Sequence, residues 1–145
     1  MKSNFHPGGF QLIDPAIVLF ANDAFYLAFN NRDIVAMDQL WSRHTQPVCI
    51  HPGWDGLFSR DEIIQSWRDI FDNDNAQSSI NCHQPRVLFQ RDIISVVCYE
   101  ELSQGWLVAT NSFVMEDELP KIFHHQASQC MNAPDISESE KPTLQ

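Results

Sequence analysis

Two polar residues stand where the chain is otherwise apolar, and their types suit general acid–base chemistry. His51 closes a short apolar run and enters a Pro-Gly turn, a position that commonly directs a side chain to the mouth of a cavity. A histidine with an ordinary pKa of ~6.5 can take up a proton at neutral pH. Asn111 interrupts the most apolar face of a strand pattern, and a buried amide needs a partner, a water or a ligand. The sequence therefore suggests His51 as a general base and Asn111 as a carbonyl donor, although each could simply bond to neighbouring backbone.

Two adjacent pairs of titratable residues lie within strand patterns. They are His124 with His125, and Glu100 with Glu101. Alternation along a strand sends one member of each pair inward and the other outward, and the residues alone leave open which is which. His125 is a candidate catalytic residue, and Glu100 is a candidate secondary acid whose pKa would rise on burial.

Aromatic side chains are numerous enough to line a cavity, with ten Phe and four Trp in the chain. The residues expected to line it are Phe25, Trp41, Trp54, Trp67, Glu100 and Phe113. No glycine-rich phosphate loop, nucleophile elbow or metalloprotease motif is present, so we expect neither a cofactor nor a metal. The four cysteines lack a C-x-x-C pair and are interpreted as buried free thiols, with a zinc site as the alternative.

Length and charge restrict the class of protein. The 145 residues suit one domain, and the formal net charge of −10 disfavours nucleic acid and anionic membrane as partners. No apolar stretch approaches the ~20 residues that span a bilayer, and no signal peptide opens the chain, so a cytoplasmic protein is expected. We expect a flexible lead-in over 1–13, one domain over 14–131 and a disordered acidic tail over 132–145.

The apolar periodicity predicts three helices followed by a meander of strands. Asp14-Pro15 begins the first helix, Asp33 caps a second, and the capping box at Ser59 begins a third. A short strand over 47–50 lies between the second and third helices, and strands are predicted at 79–89, 93–102, 106–115 and 121–128. Helices gathered before strands indicate an α+β fold: a cone-shaped, curved antiparallel sheet wrapped around N-terminal helices, with one pocket.

Several short stretches resemble the nuclear transport factor 2-like (cystatin-like) superfamily, and within it the SnoaL-like and ketosteroid-isomerase-like branch. The stretches are Cys49-Ile50-His51-Pro52-Gly53, Ile63-Ile64-Gln65-Ser66-Trp67 and His124-His125-Gln126-Ala127-Ser128, together with the first helix from Ala24 to Asp33. The resemblance covers about residues 15–130. It implies a homodimer formed through the sheet and a pocket between the sheet and the helices.

The resemblance also implies roles for individual positions. The catalytic base of the isomerases falls on His51, and their acidic oxyanion donor falls on Asn111. Their oxyanion tyrosine falls on Phe25, which cannot donate a hydrogen bond, and Tyr26 beside it is expected to point about a quarter-turn away. Two functions follow as hypotheses: a cofactor-free isomerase, cyclase or hydratase acting on a small hydrophobic oxygenated molecule, or a non-catalytic ligand-binding or dimeric association module.

Overall fold

A computed structural model describes residues 5–6 and 10–11 as backbone and residues 13–73 and 79–136 in full. The elements of the described residues are, in chain order, β1 (Phe5–His6), β2 (Phe10–Gln11), α1 (Pro15–Asn30), α2 (Ile34–Leu40), β3 (Val48–Ile50), α3 (Arg60–Asp72), β4 (Asn81–Gln90), β5 (Ile93–Leu102), β6 (Gly105–Glu116) and β7 (Leu119–Gln129). The predicted helices and strands are all present, with ends that differ by at most a few residues. The α+β class is therefore confirmed.

The two ends of the chain leave part of the prediction open. Strands β1 and β2 pair antiparallel, which the sequence did not indicate. The remaining residues of the lead-in and residues 137–145 of the tail lie outside the described part of the chain, so their flexibility stays a prediction.

Side-chain caps fix where the helices begin. The carboxylate of Asp14 accepts a hydrogen bond of 2.9 Å from the backbone N–H two residues later, and Pro15 occupies the first helical position. Asp33 accepts in the same way from the N–H three residues later, at 3.0 Å. The hydroxyl of Ser59 accepts from the N–H of Glu62 at 3.2 Å. Each cap satisfies a backbone donor that has no partner inside its helix.

The five main strands form one curved, unclosed sheet in the order β3-β7-β6-β5-β4. Strands β4 to β7 are joined by hairpins and pair antiparallel, as predicted. Strand β3 corrects the expectation of a fully antiparallel sheet, because it lies parallel to β7 with Cys49 opposite His125. A long chain segment separates β3 from β7, so no hairpin forces the antiparallel direction. This pairing brings the end of β3, and with it His51, close to His125.

The helices pack on the inner face of the sheet and bury one continuous core. Its largest fully buried members are Trp41, Phe25, Phe113, Met37, Ile63, Ile94 and Ile122. The aromatic side chains of α1 are only partly buried: Phe25 faces the core, whereas Phe20 is 78% exposed. Among the described residues, no helix combines the length and apolarity needed to cross a membrane.

Candidate active site

A cavity of about 360 Å³ lies between helices α1 and α3 and the inner face of the sheet. Its described lining is mostly apolar and aromatic: Phe25, Phe29, His51, Pro52, Trp54, Trp67, Ile70, Asn73, Ile80, Glu100, Leu102, Leu107 and His125. Six of the nine residues predicted for the site are in this wall. An apolar cavity with a few convergent polar groups has the general form of a small-molecule site.

Two residues predicted for the cavity wall are elsewhere. Trp41 and Phe113 are fully buried in the core and do not line the cavity. Trp41 ends α2 and forms a bridge to Ile122 of β7, and Phe113 lies opposite Ile94 on the inner face of the sheet. The sequence identified both as buried aromatics, but periodicity does not separate a filled core from a cavity wall.

His51 lines the cavity, and its hydrogen bonds define its tautomer. Its Nε2 lies 2.8 Å from the hydroxyl oxygen of Ser66, and that hydroxyl donates to the backbone carbonyl of Ile63 at 2.6 Å. Because a serine hydroxyl has one hydrogen, Nε2 of His51 must be the donor to Ser66. The lone pair of His51 is therefore on Nδ1, which is the ring nitrogen that can accept a proton.

The surroundings of His51 keep the ring neutral and fixed. Burial lowers the pKa of His51 to about 4, so the imidazole is uncharged at neutral pH. The ring centroid lies 4.7 Å from that of Trp54 and 4.6 Å from that of Trp67, both in edge-to-face geometry. A turn from His51 to Trp54 closes with a 2.9 Å backbone hydrogen bond, and Gly53 adopts the positive φ of +80° that its third position requires. The Pro-Gly pair thus sets the position of both rings.

Asn111 is fully buried and bonds to three side chains, which corrects its predicted role as a donor to the ligand. Its two amide hydrogens go to Oδ1 of Asn22 at 2.9 Å and to the hydroxyl of Tyr26 at 3.1 Å. Its Oδ1 lies 2.5 Å from Nδ1 of His125. Both amide hydrogens are committed within the protein, so none remains for a substrate carbonyl. Asn111 positions other residues instead of acting on the ligand.

His125 is the inward member of the histidine pair, and His124 is half-buried on the other face. Since Oδ1 of Asn111 can only accept, Nδ1 of His125 carries the hydrogen and Nε2 carries the lone pair. Burial, followed by the nearby His51 and His124, lowers the pKa of His125 to about 3. The site therefore holds a second neutral imidazole, with its ring centroid 6.4 Å from that of His51.

Glu100 is the inward member of the glutamate pair and is only 2% exposed. Its Oε2 accepts a 2.6 Å hydrogen bond from the hydroxyl of Tyr26. Burial raises the pKa of Glu100 to about 7, and the bond from Tyr26 opposes that rise. Because Oε2 already accepts a hydrogen, a proton bound by Glu100 belongs on Oε1. Glu101 faces the other way and lies 2.9 Å from Nε2 of His83.

Three functional residues were missed from the sequence: Asn22, Tyr26 and Ser66. Tyr26 was expected to point away from the site, yet its hydroxyl bonds Glu100 and Asn111 and lies 3.2 Å from Sγ of Cys98. A signal was available on α1, because Asn22 and Tyr26 are four residues apart and so share a helix face. Two polar side chains on one face of an apolar helix indicate a buried polar network. Ser66 had no comparable signal.

The arrangement can perform proton transfer in a largely apolar setting. Among the described residues of the wall there is no lysine or arginine, and the charged or titratable groups are His51, Glu100 and His125. The described part of the chain contains no cluster of three or more His, Cys, Asp or Glu side chains that could hold a metal. All four cysteines are free, with Cys49 and Cys98 buried as predicted and Cys82 and Cys130 half-buried. The chemistry available is general acid–base catalysis by two imidazoles and one carboxyl.

The fold and the site define a class, the nuclear transport factor 2-like proteins with a cavity under a curved sheet. Similar solved structures include a proposed dehydratase of the NTF2-like family from Streptomyces avermitilis, 26% identical with a TM-score of 0.72, covering 82% of this chain and 97% of that one. A proposed association domain of a type II calcium/calmodulin-dependent protein kinase from Thiobacillus denitrificans is 27% identical with a TM-score of 0.68, covering 76% and 92%. The chain belongs to the SnoaL-like domain family, whose model matches residues 18–132.

A plant protein shares the same region. The F-box protein SKIP8 of Arabidopsis thaliana is 23% identical over 112 residues, which are 77% of this chain and 48% of that protein. The chain therefore spans about half the length of this relative.

Proposed function

We propose that this chain is a cofactor-free enzyme that binds a small, largely apolar, oxygen-bearing molecule and transfers a proton with His51 as general base. The reaction class is an isomerisation, a cyclisation, or the addition or loss of water. One observation carries the proposal: a neutral imidazole, whose Nδ1 lone pair has only a 3.9 Å contact to the thiol of Cys49, and a carboxyl with a pKa of about 7 line the same apolar cavity. Groups with separated pKa values in one site are suited to act as base and acid.

The roles follow from the protonation states. The Nδ1 atom of His51 takes a proton from a substrate carbon or from a water molecule. Glu100 gives its Oε1 proton to the substrate oxygen, so one proton enters the protein and one leaves it. The Nε2 atom of His125 accepts a hydrogen bond from the substrate, and Asn111 holds that imidazole in the required tautomer.

The comparisons support the reaction class without naming a substrate. The match covers 97% of the Streptomyces avermitilis protein, which is a proposed dehydratase. Loss of water needs one group that removes a proton and another that protonates the departing hydroxyl. His51 and Glu100 meet that requirement.

The direct test is a screen of the purified protein against hydroxy-ketones, enones and epoxides, followed by a matched pair of variants. His51→Gln keeps a side-chain N–H that can reach Ser66 but removes the basic lone pair. His124→Gln makes the same change on the neighbouring histidine of the outward face and serves as the control. We expect the first variant to lose about 10²–10⁴ in kcat, and the second to retain the wild-type rate. Equal rates in both variants would refute the base assignment.

A non-catalytic association module is the second candidate. The kinase association domain from Thiobacillus denitrificans favours it, because that domain is as similar to this chain as the dehydratase is. In this case two copies would join through the outward face of the sheet. Sedimentation measured over a wide concentration range tests the dimer, and a monomer throughout that range would contradict it.

A further inference from the structure

We infer that the cavity selects an uncharged molecule that donates a hydrogen bond, an alcohol in preference to the matching ether, ketone or carboxylate. The inference rests on the proposed function in one respect, namely that this cavity is the ligand site. It goes further because it names the polar group that the ligand must carry. The preference follows from the hydrogen-bonding positions that the protein leaves free.

The free positions on the two imidazoles are both acceptors. Ser66 accepts the hydrogen on Nε2 of His51, which leaves Nδ1 with its lone pair and only a weak 3.9 Å contact to Sγ of Cys49. Asn111 accepts the hydrogen on Nδ1 of His125, and among the described residues Nε2 of His125 has no hydrogen-bond partner. A ligand that offers only lone pairs finds no match at either ring, whereas a hydroxyl group finds one at each.

The described polar side chains around the two imidazoles already use their donors within the protein. Both amide hydrogens of Asn111 and the hydroxyl hydrogens of Tyr26 and Ser66 bond to protein acceptors. The indole N–H of Trp67 has no acceptor in the described residues, but it is fully buried, so a ligand reaches it only if the ring moves. Oε1 of Glu100 donates only while the carboxyl is protonated. Trp54, a half-exposed wall residue, also carries an indole N–H, so the preference for a hydroxyl rests on the two imidazoles, which offer two acceptors and no donor.

The charge of the site excludes anions. The described wall offers no lysine or arginine to pair with a carboxylate or phosphate, and Glu100 would repel either group when ionised. The chain as a whole has a formal net charge of −10. Burial of an unpaired anion costs desolvation free energy, so an acidic ligand would have to bind in its neutral form.

The test compares four probes that share a naphthyl group of the same size: naphthylethanol, its methyl ether, acetonaphthone and naphthoate. Binding to the full chain is measured by calorimetry at about pH 8, where Glu100 is largely ionised and cannot donate. We expect naphthylethanol to bind about tenfold more tightly than the ether or the ketone, and naphthoate to bind most weakly. His51→Phe should reduce the alcohol's advantage, and His124→Phe on the outer face should leave it unchanged.

The outcomes separate this inference from the proposed function. Equal binding of alcohol, ether and ketone by the wild-type protein would overturn the inference while the cavity remained a ligand site. A preference for the ketone would also overturn it and would indicate donation by an indole N–H of the wall, that of Trp54 or Trp67. No binding of any probe would count against both. The wild-type comparison is decisive by itself, so a variant that fails to fold does not weaken the test.

Discussion

The hydroxyl of Tyr26 donates a 2.6 Å hydrogen bond to Oε2 of Glu100, and both groups are buried. Tyr26 also accepts a hydrogen from Asn111, so the carboxyl on β5 is connected through α1 to β6 and on to His125 of β7. Burial raises the pKa of the Tyr26 phenol well above its usual range, which keeps that hydrogen in place. The bond therefore occupies Oε2 of Glu100 and opposes the rise of its pKa.

Replacing Tyr26 by Phe should raise the pKa of Glu100 above its wild-type value of about 7. The hydroxyl lowers that pKa by stabilising the ionised carboxylate, and its loss leaves burial unopposed. The nearby thiols of Cys82 and Cys98 remain in both proteins. A carbon-13 NMR titration of the glutamate carboxyls measures the shift, and an unchanged pKa would mean that the bond does not control Glu100.

For any substrate that the protein converts, kcat/KM should follow a bell-shaped pH profile with its maximum between about pH 4 and about pH 7. His51 acts as a base only when deprotonated, which holds above its pKa of about 4. Glu100 acts as an acid only when protonated, which holds below its pKa of about 7. The profile of kcat/KM reports these free-enzyme values. A rate that keeps rising above pH 7 would exclude Glu100 as the acid.

The free energy of unfolding should respond to pH through Glu100 as well. Its folded-state pKa of about 7 exceeds the ordinary value of 4.5, so the folded protein holds a proton that the unfolded chain releases. The stabilisation is complete below pH 4.5 and is lost as pH rises through 7. The buried, neutral His51 and His125 act in the opposite direction over this range, and they do so in both proteins. In urea unfolding, the stability of the wild type relative to that of Glu100→Gln should therefore fall from pH 4.5 to 7. Parallel curves for the two proteins would contradict the assignment.

Replacing Asn111 by Leu should destabilise the fold by about 3 kcal/mol or more. Leucine has a similar volume but leaves Oδ1 of Asn22 and Nδ1 of His125 without their buried partner. The neighbouring Thr110→Val, on the opposite face of β6, is the matched control and should cost less. Denaturant midpoints of the two variants provide the comparison. Equal midpoints would show that the network adds nothing to stability.

The two tryptophans assigned to the wall from sequence should behave differently on truncation. Trp41→Ala should cost about 3–5 kcal/mol because the ring is fully buried in the core. Trp54 is 47% exposed at the cavity, so Trp54→Ala should cost much less stability and weaken ligand binding instead. Thermal unfolding and calorimetric binding measure the two effects. If a folded Trp41→Ala protein lost ligand binding, Trp41 would have to be counted among the residues that bind the ligand.

Local signals in the sequence were sufficient to predict the helices, the strands and most of the candidate site. Helix starts were predictable because Asp14, Asp33 and Ser59 cap locally, through bonds to residues only two or three positions away. Strand ends were predictable because short turns separate alternating apolar runs. The sequence also predicted that His51 and one member of each pair, Glu100 or Glu101 and His124 or His125, face the cavity, since alternation and the Pro-Gly turn restrict where such side chains can point.

The tertiary structure alone decided what these residues do. Periodicity fixes the two faces of a strand but not which face is inward, so only packing distinguished Glu100 from Glu101 and His125 from His124. Only the contacts across elements revealed that Asn111 donates both amide hydrogens to side chains of α1, and that the hydroxyl of Tyr26 donates to Glu100. Hydrogen-bond partners distant in sequence leave no local pattern, because their distance depends on how helix and sheet pack together. The tautomers of His51 and His125, and with them the chemistry of the cavity, follow from that packing.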